Sequence, residues 1–140
     1  MGIVKELSLT IVLIFFVILS PVVSMADDSN SDQYIDMVKG NLNADFTIVE
    51  YASFTCPHCA SFHKEVLPYL TQKYIDNGKV KFVYREVYFD APGLWAGLLA
   101  RCSSKEKYFG IVDLLYDKQE KWASGSSEEE ILRELFSIGR

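Results

Sequence analysis

Residues 45–89 switch from one backbone habit to another and back, and this limits what the chain can fold into. Phe46, Thr47, Ile48, Val49, Glu50 and Tyr51 form a β-prone run that does not alternate cleanly, which suits a strand buried on both faces. A short connection, Ala52-Ser53-Phe54-Thr55, follows. Pro57 then fits the first turn of a helix, where a missing N–H costs nothing. Phe62, Val66, Leu70 and Tyr74 recur every fourth residue, flanked by Cys59, His63 and Leu67. Pro68 lies inside this helix and is expected to kink it. Asp76-Asn77-Gly78 stops it, and a second β-prone run extends from Val80 to Phe89. Strand, helix, strand is a βαβ unit, so the two strands should be parallel with a right-handed crossover.

Cys56-Pro57-His58-Cys59 lies where the first strand meets the helix. A two-residue spacer lets two thiols join in a small ring and cycle between dithiol and disulfide. Cys56 sits at the helix N-terminus, where unpaired N–H groups and the macrodipole favour an anion, so its thiolate should be stabilised. His58 adds a donor or cation beside it. Cys59 lies one turn inside, suited to resolving a mixed disulfide. A stabilised thiolate favours the reduced form and makes the disulfide a strong oxidant. The competing readings are a structural disulfide or half of a zinc site. Zinc needs further ligands, and His58 and His63 are the only histidines in the chain, both on one short stretch. The sequence therefore points to redox chemistry with no metal and no cofactor.

The segments on either side set the compartment and the size. Met1–Ala26 has the order of a secretory signal peptide: one lysine, an apolar stretch from Leu7, a break at Ser20-Pro21, and small residues ahead of a cut before Asp27. An uncleaved anchor is the alternative, though the apolar stretch is short for a span. Either way the domain is exported to an oxidising space. Residues 27–44 open with a polar run and read as a flexible lead-in, with a short apolar turn at Tyr34, Ile35 and Val38. From about residue 91 the chain is helical. Leu94, Trp95, Leu98, Leu99 and Cys102 share one face, and Tyr108, Phe109, Val112, Leu115 and Tyr116 share another; both stripes read as core. Ser126 with Glu129, or Ser127 with Glu130, forms a capping box for a last helix, with Ile131, Leu132, Leu135 and Phe136 inward and Gly139 at C′. A formal charge of −5 with no basic run argues against nucleic acid or an anionic membrane surface.

These residues resemble the DsbA-type branch of the thioredoxin superfamily. The resemblance runs from Thr47 through Cys-Pro-His-Cys to His63, continues at Val66-Leu67-Pro68, and extends loosely to Leu99-Ala100-Arg101-Cys102. It implies an α/β fold: a thioredoxin-like βαβ unit followed by a DsbA-type helical insertion, over residues 45–140. It implies that Cys56 is the exposed nucleophile, that Cys59 resolves, and that Glu50 is a buried acid aiding proton transfer near Cys59. From the residues alone, Glu50 could equally be an edge-strand residue facing solvent. Cys102 reads as a small buried residue on an apolar helix face. The implied activity is disulfide formation in secreted or periplasmic proteins, with thiol-containing protein substrates and a reoxidising membrane partner. A disulfide reductase or isomerase, or an impaired remnant serving as a binding module, are the alternatives. The family's cis-proline loop, β-hairpin and closing helix have no counterpart here, so the sequence resembles a C-terminally truncated member with an incomplete sheet. Residues 27–140 purified alone are therefore expected to be unstable or to aggregate unless a partner completes the sheet. A cooperative thermal transition in a monodisperse monomer would overturn that expectation.

Overall fold

A computed structural model describes residues 35–140. The leader, and residues 27–34 of the lead-in, lie outside the described residues. Strands β1 (Met37–Gly40), β2 (Phe46–Ala52) and β3 (Val80–Glu86) form one sheet in the order β1-β3-β2. β2 and β3 are parallel, as a strand–helix–strand unit requires, with Phe46 opposite Val80 and Ala52 opposite Glu86. β1 pairs antiparallel on the other side of β3, Met37 opposite Tyr84. The reading of residues 27–44 as a flexible lead-in is corrected for Met37–Gly40. Four residues with a lysine among them carry almost no local β signal. The strand exists because β3 offers an edge and because Asp36 takes Arg85 on both carboxylate oxygens, at 2.7 and 2.8 Å. Gly40 ends β1 at φ +94°, where a Cβ would meet Ile75 at 2.7 Å.

The strand buried on both faces is β3, with five of its seven residues buried. β2 is the outer strand of the described sheet; only Ala52 is buried, and Phe46 and Tyr51 are exposed. β3 also ends at Glu86, short of the Phe89 that propensity alone suggests.

From Pro57 to Ile75 the backbone is helical but not uniformly so. α1 (Pro57–Ser61) passes into a π-helical turn (Phe62–Val66), then α2 (Leu67–Leu70), then a second π-helical turn (Thr71–Ile75). The expected kink at Pro68 takes this form. The Leu67 N–H bonds the Phe62 carbonyl five residues back, and Pro68, with no N–H of its own, falls at the start of a fresh α turn. The buried row is also shifted by one residue from the expected one. It runs through His63, Leu67 and Ile75, with Thr71 half-buried between them, while Val66 is exposed. A four-residue repeat creeps by about 40° per step around a helix of 3.6 residues per turn. The wider π turns take that creep back, so one row of four-spaced residues stays against the core.

α3 (Ala91–Arg101) is capped by Asp90, whose carboxylate accepts from the Gly93 N–H at 2.7 Å and from the Thr55 hydroxyl at 2.7 Å. Its packing reverses the sequence expectation. The residues turned inward are Gly93, Ala96, Gly97 and Ala100. Leu94 and Leu98 are exposed, Leu98 to 52%, and Trp95 and Leu99 are half-buried. Cys102, expected to be buried, is exposed at the C-cap. The approach at Gly97 is close: a Cβ there would lie 2.6 Å from the Tyr88 ring. α4 (Tyr108–Asp117) follows the pattern, with Tyr108, Val112, Leu115 and Tyr116 buried. After α5 (Gln119–Trp122), α6 (Glu128–Ile138) is capped by Ser127, whose Oγ accepts from the Glu130 N–H at 3.3 Å. Glu130 in turn accepts from the Ser126 N–H and hydroxyl. Ile131, Leu135 and Ile138 form its buried stripe, so Leu132 and Phe136, expected inward, stand outside it. Gly139 closes α6 in the right-handed region (φ −78°) instead of as a left-handed C′ residue.

One buried carboxylate ties sheet and helices together. Glu86, at the end of β3, has a fully buried side chain. It accepts from Arg101 Nη2 at 2.6 Å and Nε at 2.8 Å, and from the Tyr108 hydroxyl at 2.5 Å. Arg101 closes α3 and Tyr108 opens α4. Removing one partner of a buried pair leaves the other charge uncompensated, at a cost of about 3–5 kcal/mol. Glu86→Ala should therefore lower unfolding stability by about 3–5 kcal/mol in a urea titration, and exposed Leu98→Ala by well under about 1 kcal/mol.

Candidate active site at the strand-to-helix turn

The turn that carries the cysteines is fixed from both sides. The Cys56 N–H bonds the Ser53 carbonyl at 3.1 Å, and the Ala60 N–H bonds the Cys56 carbonyl at 3.2 Å. Cys56 is the extended N-cap residue of α1 (φ −85°, ψ 117°), and Pro57 follows at the first helical position. Phe54 is fully buried and stacks near Tyr116, its ring centroid 5.3 Å away. The amide of Gln119, from α5, donates to the carbonyls of Phe54 at 2.7 Å and Cys56 at 3.0 Å. A side chain from the helical part therefore satisfies main-chain acceptors that a sharp turn leaves open.

The two thiols, both unbonded in this structure, have opposite character. Burial works against a thiolate at Cys56. The Cys59 thiol and the main-chain groups of Cys59 and His58 outweigh it, and its pKa falls below the ordinary thiol range. Cys59 is more enclosed. Burial, the Cys56 partner and the charge of Glu50 push it up to about 11. Pro57 and His58 are exposed on the spacer, so the imidazole of His58 faces solvent beside the reactive sulfur.

Glu50 lies on the outer strand β2, but its carboxylate turns inward and is only 12% exposed. Its Oε2 is 3.0 Å from Nε2 of His63. Cys56, Cys59 and Glu50 thus fall in one neighbourhood, with His58 at its rim. Sequence reasoning did not assign His63, Tyr84, Tyr116, Asp113 or Gln119 to this neighbourhood. The His63 ring stacks on Tyr116 at 4.2 Å and meets Tyr84 edge-on at 5.6 Å. The two phenol oxygens lie 2.7 Å apart, and the Tyr116 hydroxyl also donates to the Ser53 carbonyl at 3.3 Å. Burial raises the pKa of both phenols, so they remain neutral donors. The one available signal was His63 itself, four residues after Cys59 on the stripe that faces the core. Among the described residues, no group of three or more His, Cys, Asp or Glu side chains could hold a metal, and no helix is long and apolar enough to cross a membrane.

Comparison with known proteins places this geometry. The thioredoxin family model matches residues 33–136. A Rickettsia bellii protein named as a protein-disulfide oxidoreductase is 39% identical over 105 residues, covering 74% of this chain and 40% of that protein. Disulfide bond formation protein D of Bacillus subtilis is 33% identical over 84 residues, covering 60% of this chain and 36% of that protein. The crystal structure of Wolbachia pipientis alpha-DsbA1 superposes with a TM-score of 0.67 at 34% identity, covering 74% of this chain and 51% of that one. The chain thus spans about two fifths of the length of the curated relatives it matches. With its parallel strand pair, its redox-spaced cysteines at the helix start and its helical part locked to the sheet, the chain belongs to the thioredoxin family, in its DsbA-type branch.

Proposed function

We propose that this protein is an exported thiol-disulfide oxidoreductase that donates the Cys56–Cys59 disulfide to thiol-containing proteins in the periplasm. The reading rests on one observation: two free thiols, separated by two residues, stand at a helix start, with Cys56 at the N-cap and Cys59 inside the first turn. A substrate thiolate attacks the Cys56 sulfur of the disulfide and breaks the bond to Cys59, which leaves and takes up a proton. A second substrate thiolate then attacks its neighbour's sulfur in the mixed disulfide. Cys56 departs as a thiolate, a good leaving group because its pKa is low. Two substrate thiols become one disulfide, and the protein's disulfide becomes a dithiol. Turnover requires an external acceptor for those two electrons, such as a reoxidising membrane partner. The acceptor site for substrate lies around exposed Pro57 and His58.

A glutathione titration of the Cys56–Cys59 pair in the full chain tests the direction of this chemistry. The expected potential is well above the roughly −270 mV of thioredoxin. A value near that figure would indicate a reductase. Background rates in both dithiol-peptide oxidation and insulin reduction would indicate an impaired binding module.

Export rests on residues 1–26, with their short apolar stretch and small residues before Asp27. Mass spectrometry of the mature protein from the periplasm of an expressing bacterium should find an N-terminus at Asp27. Recovery of uncleaved chain in the membrane fraction would mean an anchor instead.

A further inference from the structure

Opening the Cys56–Cys59 disulfide requires Cys59 to gain a proton and re-forming it requires Cys59 to lose one, although it is half-buried and holds its proton tightly. Glu50 is the nearby acid whose charge acts on Cys59, yet its carboxylate is itself largely enclosed. Something must connect Glu50 to solvent. The inference drawn here rests on the redox reading above, and specifies how the pair is serviced.

We propose that His63 is the positioning and relay residue that passes protons between the enclosed Glu50 carboxylate and the solvent cleft beside α4. Its two nitrogens face different ways. Nε2 is 3.0 Å from Glu50 Oε2, on the inner side. Nδ1 lies 3.9 Å from Asp113 Oδ1, too far for a direct hydrogen bond, and Asp113 is well exposed. Nδ1 and Thr71 Oγ1 are the buried side-chain polar atoms without a partner among the described residues. Both residues line the same cleft, a volume of about 730 Å³. An unpartnered buried nitrogen normally costs stability, so its position at the wall of a cleft points to exchange. Imidazole can take a proton on one nitrogen and release one from the other, so this placement suits a relay. The stack on Tyr116 and the edge contact with Tyr84 hold the ring in this orientation.

The charged surroundings favour the same role. Burial disfavours charge on His63, but Asp113 and Glu50 outweigh it and raise its pKa above the ordinary imidazole value. The groups facing it are Glu50 from β2, the phenols of Tyr84 from β3 and Tyr116 from α4, and Asp113 and Asp117 from α4. Lys39 from β1, Lys64 from the first π turn and Asp76 line the cleft more distantly. His63 therefore holds a proton more readily than a free imidazole, which suits a group that collects protons from solvent.

Reaction of the reduced full chain with oxidised glutathione tests this without any protein substrate. The Cys56 thiolate forms a mixed disulfide and releases one glutathione thiolate. Cys59 then gives up its proton, attacks the Cys56 sulfur and expels the second glutathione thiolate. Two protein thiols are oxidised as one glutathione disulfide is reduced to two thiols. Acid quenching and mass spectrometry separate the mixed disulfide from the closed ring. In the native chain the closing rate should rise with pH through an inflection belonging to His63. His63→Gln should slow closing by about 10-fold or more and abolish that inflection. Alkylation of Cys56 by iodoacetamide should keep its pH midpoint, because the Cys59 thiol and the main-chain groups of Cys59 and His58 set it. Asp113→Asn, an exposed change that leaves the fold intact, should move the inflection to lower pH, since it removes a charge that favours imidazolium. An unchanged closing profile in both variants overturns the proposal. So does a Cys56 midpoint that shifts together with the closing rate in His63→Gln, which would mark a structural role. If His63-dependent closing persists while dithiol-peptide oxidation is at background, the relay stands and the oxidase reading falls.

Discussion

The buried carboxylate of Glu86 holds this structure together. A charge with no exposed side-chain surface must be matched inside the protein, and the guanidinium of Arg101 and the hydroxyl of Tyr108 do so at 2.5–2.8 Å. Arg101 ends α3 and Tyr108 begins α4. The carboxylate therefore fixes where one helix stops and the next starts, at the end of the central strand. Bidentate geometry fixes orientation as well as distance.

The redox turn depends on that docking. Once α4 is placed, Tyr116 lies over the His63 ring and Asp113 stands at the outer side of that ring. α5 follows directly, and its Gln119 reaches the carbonyls of Phe54 and Cys56. The cysteines lie on the βαβ unit, but the groups that shape their surroundings come from the helical part. The local device is the helix start at Cys56, which acts through the Cys59 thiol and the main-chain groups of Cys59 and His58. The contrast between the two thiols needs more, because Cys59 is raised by enclosure and by Glu50.

The sequence makes the βαβ unit legible because each piece is signalled locally: β-branched and aromatic runs, a proline at the helix start, Asp-Asn-Gly at its end. The cysteine pair is legible for the same reason. What it hides is set by partners far along the chain. β1 has no β signal of its own and exists through its pairing with β3. Glu50 reads ambiguously, since an acid on an outer strand ordinarily faces water. Strand alternation puts it on the inner face of β2 with Ile48 and Ala52, where its carboxylate meets His63, thirteen residues away. His63 itself falls beside the expected stripe, because α periodicity does not anticipate two π turns. The helical stripes fail in a different way. Hydropathy ranks Leu94 and Leu98 above Gly93 and Gly97, whereas the interface selects by size.

That selection has a consequence for how α3 can change over time. Leu94 and Leu98 are its replaceable positions, open to polar residues, and its buried glycines and alanines are the constrained ones. A redesign for solubility guided by hydropathy could exchange Leu94 and Leu98 without disturbing the docking surface. A redesign that raised helix propensity by replacing Gly97 with alanine would drive a methyl into the Tyr88 ring. Positions 97 and 88 are thus coupled, and size as well as hydropathy sets which residues α3 tolerates.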